Sequence, residues 1–232
     1  YVVVADVARG DSTDYSAFHV FDVENVEQVA EYKGKIETKQ YGAFLTSVAT
    51  DWNNALLVIE NANIGWAVIQ EVIDRNYTNL YYSYRELGYV DEDIHLRKGW
   101  DLKRKDDMVP GFSMTSRTRP LVISKLDTYM RERTPLIRSK RLIDELFVFI
   151  WSGSRAEAQR GYNDDLVISF STGLWVRDTA LKLRQQGMDL TRTTLTHIRK
   201  NQPGVYSGKT TGQNPWKQKD ARGNDQDLTW LL

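Results

Sequence analysis

The chain has 232 residues, 41% hydrophobic and 27% charged, which fits one sizeable globular domain or one domain plus a tail. It has no cysteine and only three histidines, His19, His95 and His197, which excludes disulfides and thiolate metal sites, fits an intracellular protein, and argues against a histidine-based zinc centre. Basic and acidic residues balance at 31 each, so any affinity for nucleic acid must come from local clustering, and no stretch approaches the ~20 apolar residues of a membrane span.

Tyr1-Val2-Val3-Val4-Ala5-Asp6 is an apolar, β-branched run that ends on a carboxylate, and residues 1–7 read as a strand. The chain begins inside that strand without a Met, as a fragment cut from a longer protein would. Gly10-Asp11-Ser12 reads as a turn, and Tyr15 to Val23 and Val26 to Ile36 read as the next two strands, so an antiparallel meander is expected. Phe44, Leu45, Val48 and Ala49 recur at helical spacing within residues 39–52, and Asn53-Asn54 ends that helix. Ala55 to Ile59 is a fourth strand, closed by Glu60. Ile64 to Ile73 reads as a helix with Ile64, Val68 and Val72 on one face and Asn76 past its end, and Leu80 to Tyr84 as a short strand.

Residues 85–112 are polar and charged and are punctuated by Gly88, Gly99, Pro110 and Gly111, which predicts an exposed excursion, a hairpin in form. Thr118 to Arg131 reads as a helix with Pro120 in its first turn and Leu121, Leu126 and Met130 as its apolar contacts. Arg138 to Phe149 is a further helix, Ser152 to Asn163 a polar loop, and Asp164 to Gln186 a long helix with Leu166, Phe170 and Leu174 stacked on one side. Trp66 and Trp175 read as core residues; Trp100, Trp151 and Trp216 read as partly buried. Residues 199–227 are rich in Lys, Gln, Gly, Asn and Asp, so a domain over 1–187 is followed by a polar tail over 188–232, flexible or ordered only against a partner. The order of elements predicts an α/β or α+β chain with a mixed sheet, its first and fourth strands adjacent and the Asp pair of the last helix beside them.

A charge at the end of a buried strand is costly unless something pairs with it. Asp6, Glu60 and the pair Asp164-Asp165 all stand in such settings. Each alone is more often a turn or cap residue; together they suggest one shared cation site. Hard cations such as Mg²⁺ and Mn²⁺ take oxygen ligands, and phosphodiester cleavage commonly uses two such ions roughly 3.5–4 Å apart. The candidate ligands are Asp6, Glu60, Asp165 and Asp164, with Asp14 at the start of the second strand as a further one. Arg97, Lys98, Lys103, Arg104 and Lys105 cluster in the excursion, and Arg117, Arg119 and Lys125 follow. These clusters suit a phosphate backbone or a solvated face that balances Asp91, Glu92, Asp93, Asp106 and Asp107. Gly208-Lys209-Thr210 ends like a phosphate-binding loop, but Pro203 stands where the first glycine belongs, so no nucleotide site is expected there.

Val4-Ala5-Asp6 with Asp14-Tyr15, Leu57-Val58-Ile59-Glu60-Asn61 with Gly65, and Gly161-Tyr162-Asn163-Asp164-Asp165-Leu166-Val167 together resemble the nuclease domain of a tailed-bacteriophage large terminase subunit. The segment Pro110-Gly111-Phe112-Ser113-Met114-Thr115-Ser116-Arg117-Thr118-Arg119-Pro120 is similar to a stretch that those proteins carry before a helix. The resemblance runs in order from residue 1 to about residue 185. It implies a ribonuclease H-like fold and a metal-dependent DNA endonuclease that cuts concatemeric viral DNA during genome packaging. The family's first acid falls on Asp6, its second on Glu60 and its third on the Asp164-Asp165 pair, with Asp165 as the main ligand and Asp14 as a further acid.

The resemblance further implies two Mg²⁺ or Mn²⁺ ions and a double-stranded DNA substrate. Ser116, Arg117 and Arg119, with Lys103, Arg104 and Lys105 in the excursion, are the expected DNA contacts. The implied partners are an ATPase domain of the same full-length protein, a portal and a small terminase subunit, in the host cell cytoplasm. Many members carry a His before the Asp pair, where this chain has Asn163. Other ribonuclease H-like nucleases, such as junction resolvases and transposase-like DDE enzymes, would share the strand-borne acids and differ in substrate. An actin-like ATPase would need Gly-rich phosphate loops, whereas only Gly10 lies near Asp6. A non-catalytic domain that grips DNA or a portal would lack metal binding.

Overall fold

A computed structural model describes residues 1–8, 15–85, 87–88, 108–153, 155–181, 217–219 and 225–227. The chain divides into two units, Tyr1–Gln185 and Gln186–Leu232. Among the described residues no helix is long and apolar enough to cross a membrane.

The first unit is built on a four-stranded sheet of order β3-β2-β1-β4, comprising β1 (Val2–Asp6), β2 (Ser16–Asp22), β3 (Glu27–Gly34) and β4 (Leu56–Ile59). β2 runs antiparallel to both β1 and β3, and β4 lies parallel to β1 with Val2 opposite Leu56 and Ala5 opposite Ile59. Parallel neighbours need a crossover; here it holds β2, β3 and helix α1 (Thr38–Asp51). Asn53 and Asn54 follow α1 with φ of 60° and 50°, the left-handed conformation that Asn tolerates better than most residues, so the helix stops where the Asn pair predicts. Asn76, at φ 58°, does the same past helix α2 (Gly65–Asp74).

Strand alternation sorts the apolar residues into two cores. Val3, Ala5, Phe18, Val20, Leu57 and Ile59 point to the side covered by α1 and α2, where they meet Leu45, Val68 and Val72. Val2, Val4, Ala17, Phe21 and Val58 point to the other side. That second side is covered by α3 (Thr118–Arg131), α4 (Lys140–Val148) and α5, the helix over 165–181. Leu166, Phe170 and Leu174 of α5 pack there, as their spacing predicts. Gly173 lets α5 approach closely, since a Cβ at that position would stand 2.2 Å from the Phe21 ring.

Strand β5 (Tyr82–Tyr84) pairs antiparallel with β6 (Met108–Pro110), so the excursion is bounded by a two-stranded ladder. Its far end is not exposed. Phe112 is buried, and its backbone pairs with the end of β4 through bonds from Phe112 N–H to Ile59 O and from Asn61 N–H to Phe112 O.

Several expectations are corrected. The helix expected over Arg138 to Phe149 is α4, which ends at Val148, and the polar loop expected from Ser152 is largely a hairpin of β7 (Phe149–Ser152) and β8 (Arg155–Ala158). Short strands with Glu, Arg and Ser carry little alternation, so composition alone reads them as loop. In α3 the buried face is Val122, Ile123, Leu126 and Tyr129, whereas Leu121 and Met130 are exposed; those two lie off the stripe that faces the sheet. Trp66 is exposed at the start of α2, because Val68, Ile69 and Val72 occupy the inward face. Trp151 is 66% exposed on β7 rather than partly buried.

In the second unit β9 (Lys217–Lys219) pairs antiparallel with β10 (Asp225–Asp227). Trp100, Trp216 and the Gly208-Lys209-Thr210 segment lie outside the described residues.

Candidate active site

Cross-strand register lines up the first two acids. Ala5 and Ile59 are paired, and Glu60 N–H bonds Ala5 O at 3.0 Å, so Asp6 and Glu60 leave the ends of adjacent parallel strands together. In the same row Asp6 stands opposite Ala17, and Ala17 opposite Lys33 of β3. Directly opposed residues share a face. The row Lys33–Ala17–Asp6 therefore faces α5, on the side where Ala17 is packed.

Local structure fixes Glu60. Gly65 opens α2 against the backbone of Glu60: a Cβ there would fall 1.8 Å from Glu60 O, so only glycine allows the helix to start this close. Asn61 is buried; its Nδ2 donates to Pro110 O at 3.0 Å, and its Oδ1 accepts from Ser113 Oγ at 2.9 Å. Thr118 Oγ1 then donates to Ser113 O at 2.7 Å and accepts from Thr115 N–H, also at 2.7 Å. The loop that carries Ser116 and Arg117 is thus tied to Glu60 through Asn61.

The acids at the strand ends are coupled. Burial pushes the Asp6 carboxyl well above its ordinary range, and the neighbouring charges of Glu60 and Asp165 push it further. Burial also raises Glu60, against the lowering effects of the neighbouring Asp6 carboxyl and of the Arg119 charge. Tyr41 is buried behind them; its hydroxyl donates to Ala17 O at 2.8 Å and stays neutral, raised by burial and by the Asp6 charge.

The Asp pair sits just at the start of α5, where Ile168 N–H bonds Asp164 O at 2.8 Å. Neither carboxylate caps the helix. Asp164 Oδ2 accepts from Arg119 Nη2 at 2.6 Å, and Arg119 also donates to Ala156 O at 3.1 Å. Asp165 Oδ2 lies 3.0 Å from Lys33 Nζ and accepts from Asn163 Nδ2 at 3.2 Å. The helix is capped instead from α4: Glu145 Oε2 accepts from the N–H groups of Leu166 and Val167 at 2.9 and 3.2 Å.

Among the described residues no three carboxylate or imidazole side chains close into a formed metal cage. Cations offset the Asp pair, Arg119 on Asp164 and Lys33 on Asp165. The site's donor set is all oxygen, which suits a hard divalent cation such as Mg²⁺ rather than a thiolate- or imidazole-seeking one. Asp6 and Glu60 would hold such an ion, with Asp165 the third acid whose charge acts on Asp6.

A groove of about 590 Å³ opens beside Glu60, lined by Thr115, Ser116, Arg119, Trp151 and Arg155 among others. The β7–β8 hairpin forms one wall and the loop before α3 the other.

No protein-family model matches the sequence, and no match was found among curated proteins. Solved structures do match. The large terminase nuclease of thermophilic phage G20c with bound magnesium aligns at TM-score 0.55 and 18% identity, covering 75% of this chain and 79% of that one. The same nuclease with bound cobalt gives the same values. The large terminase nuclease domain of Thermus phage P74-26 aligns at 0.50 and 20% identity, over 74% and 76% of the two chains. This chain has the fold of a large terminase nuclease.

Within that terminase nuclease fold, Asp6 and Glu60 are brought together at the sheet and the Asp pair lies at the head of the helix that covers it. Ser116 and Arg117 are exposed on the loop before α3, whereas Arg119, expected as a DNA contact, is already committed to Asp164. Asp14, Lys103, Arg104 and Lys105 lie outside the described residues. Sequence reasoning missed Lys33, Glu145 and the buried relay behind Leu166. In that relay Gln28 Nε2 donates to His19 Nδ1 at 2.9 Å, and His19 Nε2 donates to Leu166 O at 3.0 Å. Burial holds His19 neutral, lowered to about 3. A lysine next to the last residue of a strand carries no signal of its own; only the cross-strand register links it to the site.

Proposed function

We propose that this chain is the nuclease domain of a phage DNA-packaging terminase, a Mg²⁺- or Mn²⁺-dependent endonuclease that cuts concatemeric viral DNA with little sequence specificity. The observation that carries this reading is the strand register that brings Asp6 and Glu60 out together at the ends of adjacent parallel strands, on the sheet face covered by the helix that Asp164 and Asp165 head. The structurally similar phage nuclease was solved with bound magnesium and with bound cobalt, which supports divalent-metal binding.

Asp6, Glu60 and Asp165 would hold two ions, with Asp164 and Asp14 as further ligands. When bound, the ions supply an activated water at neutral pH and take up charge on the departing 3′ oxygen. The protein supplies position. Rigid strand ends fix Asp6 and Glu60, and the Asn61–Ser113–Thr118 bonds fix the loop beside them. Ser116 and Arg117 project from that loop to a phosphate backbone, and Lys103, Arg104 and Lys105 add backbone contacts from the excursion. Backbone contacts position DNA without reading its sequence. Arg119 holds Asp164 and faces the same groove. An ATPase domain of the same protein, a portal and a small terminase subunit are the partners proposed for it, in the host cell cytoplasm. The residues 1–187 are proposed as the nuclease domain and 188–232 as its polar tail.

A plasmid cleavage assay with Mg²⁺, Mn²⁺ and EDTA tests the reading. Metal-dependent linearisation by the intact chain, lost in Asp6→Asn, is expected. Cleavage that persists in EDTA, or in Asp6→Asn, overturns it.

A further inference from the structure

We infer that Lys33, braced by Glu145, is a positioning residue for Asp165: it holds one carboxylate oxygen so that the other faces Asp6 and Glu60. The inference rests on the metal-dependent nuclease reading and names residues that the acid pattern does not include.

Three elements meet at this point. Lys33 is the penultimate residue of β3 and lies in the row that runs through Ala17 to Asp6. Two strand spacings separate Lys33 from Asp6, about 10 Å between backbones. The residue between them is Ala, too small to block the space over the sheet. The lysine stem can therefore run along the sheet face and bring its ammonium to the head of α5. There it pairs with Glu145 of α4 and, at 3.0 Å, with Asp165 Oδ2. All three side chains are well covered, 12–14% exposed.

The directions of the bonds matter. Asp165 Oδ2 takes both the Lys33 ammonium and the Asn163 amide. Its Oδ1 carries neither of these bonds. Glu145 Oε1 faces Lys33, and its Oε2 takes the N–H groups of Leu166 and Val167. One carboxylate thus fixes both the helix end and the ammonium, and the ammonium fixes Asp165. Hydrogen bonds of this kind to a ligating carboxylate orient it for a metal. The Tyr15 ring lies under the ammonium, 5.1 Å from its centroid, which further limits where Lys33 can go.

Charge supports the same role. Asp6, Glu60, Asp164 and Asp165 gather like charges around one corner of the fold. Arg119 offsets Asp164 and Lys33 offsets Asp165.

The test is Mn²⁺ binding to the whole chain, by calorimetry and by the paramagnetic resonance of the bound ion, in wild type, Lys33→Met and Lys33→Arg. Lys33→Met is expected to weaken Mn²⁺ about 10- to 100-fold, the usual cost of removing a partner of a metal ligand, and to change the resonance of the bound ion. Lys33→Arg restores most of the affinity. In the nicking assay Lys33→Met lowers kcat with KM for DNA little changed. Should Lys33→Met fail to fold, Lys33→Gln, which keeps donors without the charge, takes its place. Mn²⁺ bound by the neutral variant as tightly as by wild type, or more tightly, overturns the inference while the nuclease reading stands. Failure of the wild type itself to bind Mn²⁺ overturns the nuclease reading, and the inference with it.

Discussion

Asp6 and Glu60 leave the ends of two adjacent parallel strands side by side, where Glu60 N–H bonds Ala5 O at 3.0 Å. The pair exists because Ala5 and Ile59 are in register, so the next residue of each chain emerges on the same face. Asp6→Asn, Glu60→Gln and Asp165→Asn should each keep the fold and lose metal-dependent nicking by about a hundredfold or more. Circular dichroism and the plasmid assay measure the two halves of this statement. A variant that nicks at the wild-type rate is not an essential ligand.

The same pair sets a pH dependence of stability in metal-free buffer. Asp6 holds its proton in the folded state to a pH above the unfolded value, through burial first and the neighbouring charges second. The folded chain then binds more protons, so stability falls as pH rises from the unfolded pKa towards the folded one. Urea unfolding across this range should show that fall in the wild type and a flatter profile in Asp6→Asn. Equal slopes would mean that Asp6 is not the group responsible.

His19 contributes the opposite sign. Its folded pKa lies at about 3 against 6.5 for a free imidazole, through burial. Below about pH 6.5 the unfolded chain takes up a proton that the folded chain refuses, so stability is lost as pH falls, at up to about 1.4 kcal/mol per pH unit. Imidazole chemical shifts in a pH titration should show no protonation of His19 down to the acid unfolding transition. Titration of His19 near 6 in the folded protein would contradict the buried relay to Leu166.

Gly65→Ala should destabilise the fold by about 1–3 kcal/mol, the usual cost of overpacking, because the new Cβ meets Glu60 O. The helix must back away and take the Glu60 backbone with it. Weaker Mn²⁺ binding should therefore accompany the lower Tm. A variant with an unchanged Tm would show that α2 does not pin Glu60.

Arg117 is exposed beside the groove. Arg117→Ala should leave Tm unchanged, weaken duplex binding alike for unrelated sequences, and lower the salt slope of log K by about one. Arg119→Ala should instead reduce stability as well, since it frees Asp164 and removes a bond to Ala156 O. Fluorescence anisotropy at several salt concentrations and thermal melts separate the two residues.

The sequence by itself determined the four strands of the main sheet and most helices, because β-branched runs and apolar spacing report which faces are buried, and the Asn pair at 53–54 marks a helix end through its own backbone preference. It also determined the order of the acids, since a carboxylate that closes an apolar run is visible in one dimension. Only the tertiary structure decided what those acids touch. The Asp164-Asp165 pair reads as a helix cap, yet the cap comes from Glu145, and each aspartate is held by a cation from a distant element, Arg119 or Lys33. The β7–β8 hairpin and the exposure of Trp66 and Trp151 were equally hidden, because they depend on which face another element covers. Local propensity is a property of neighbours in the chain; register, helix packing and the pairing of buried charge are properties of neighbours in space.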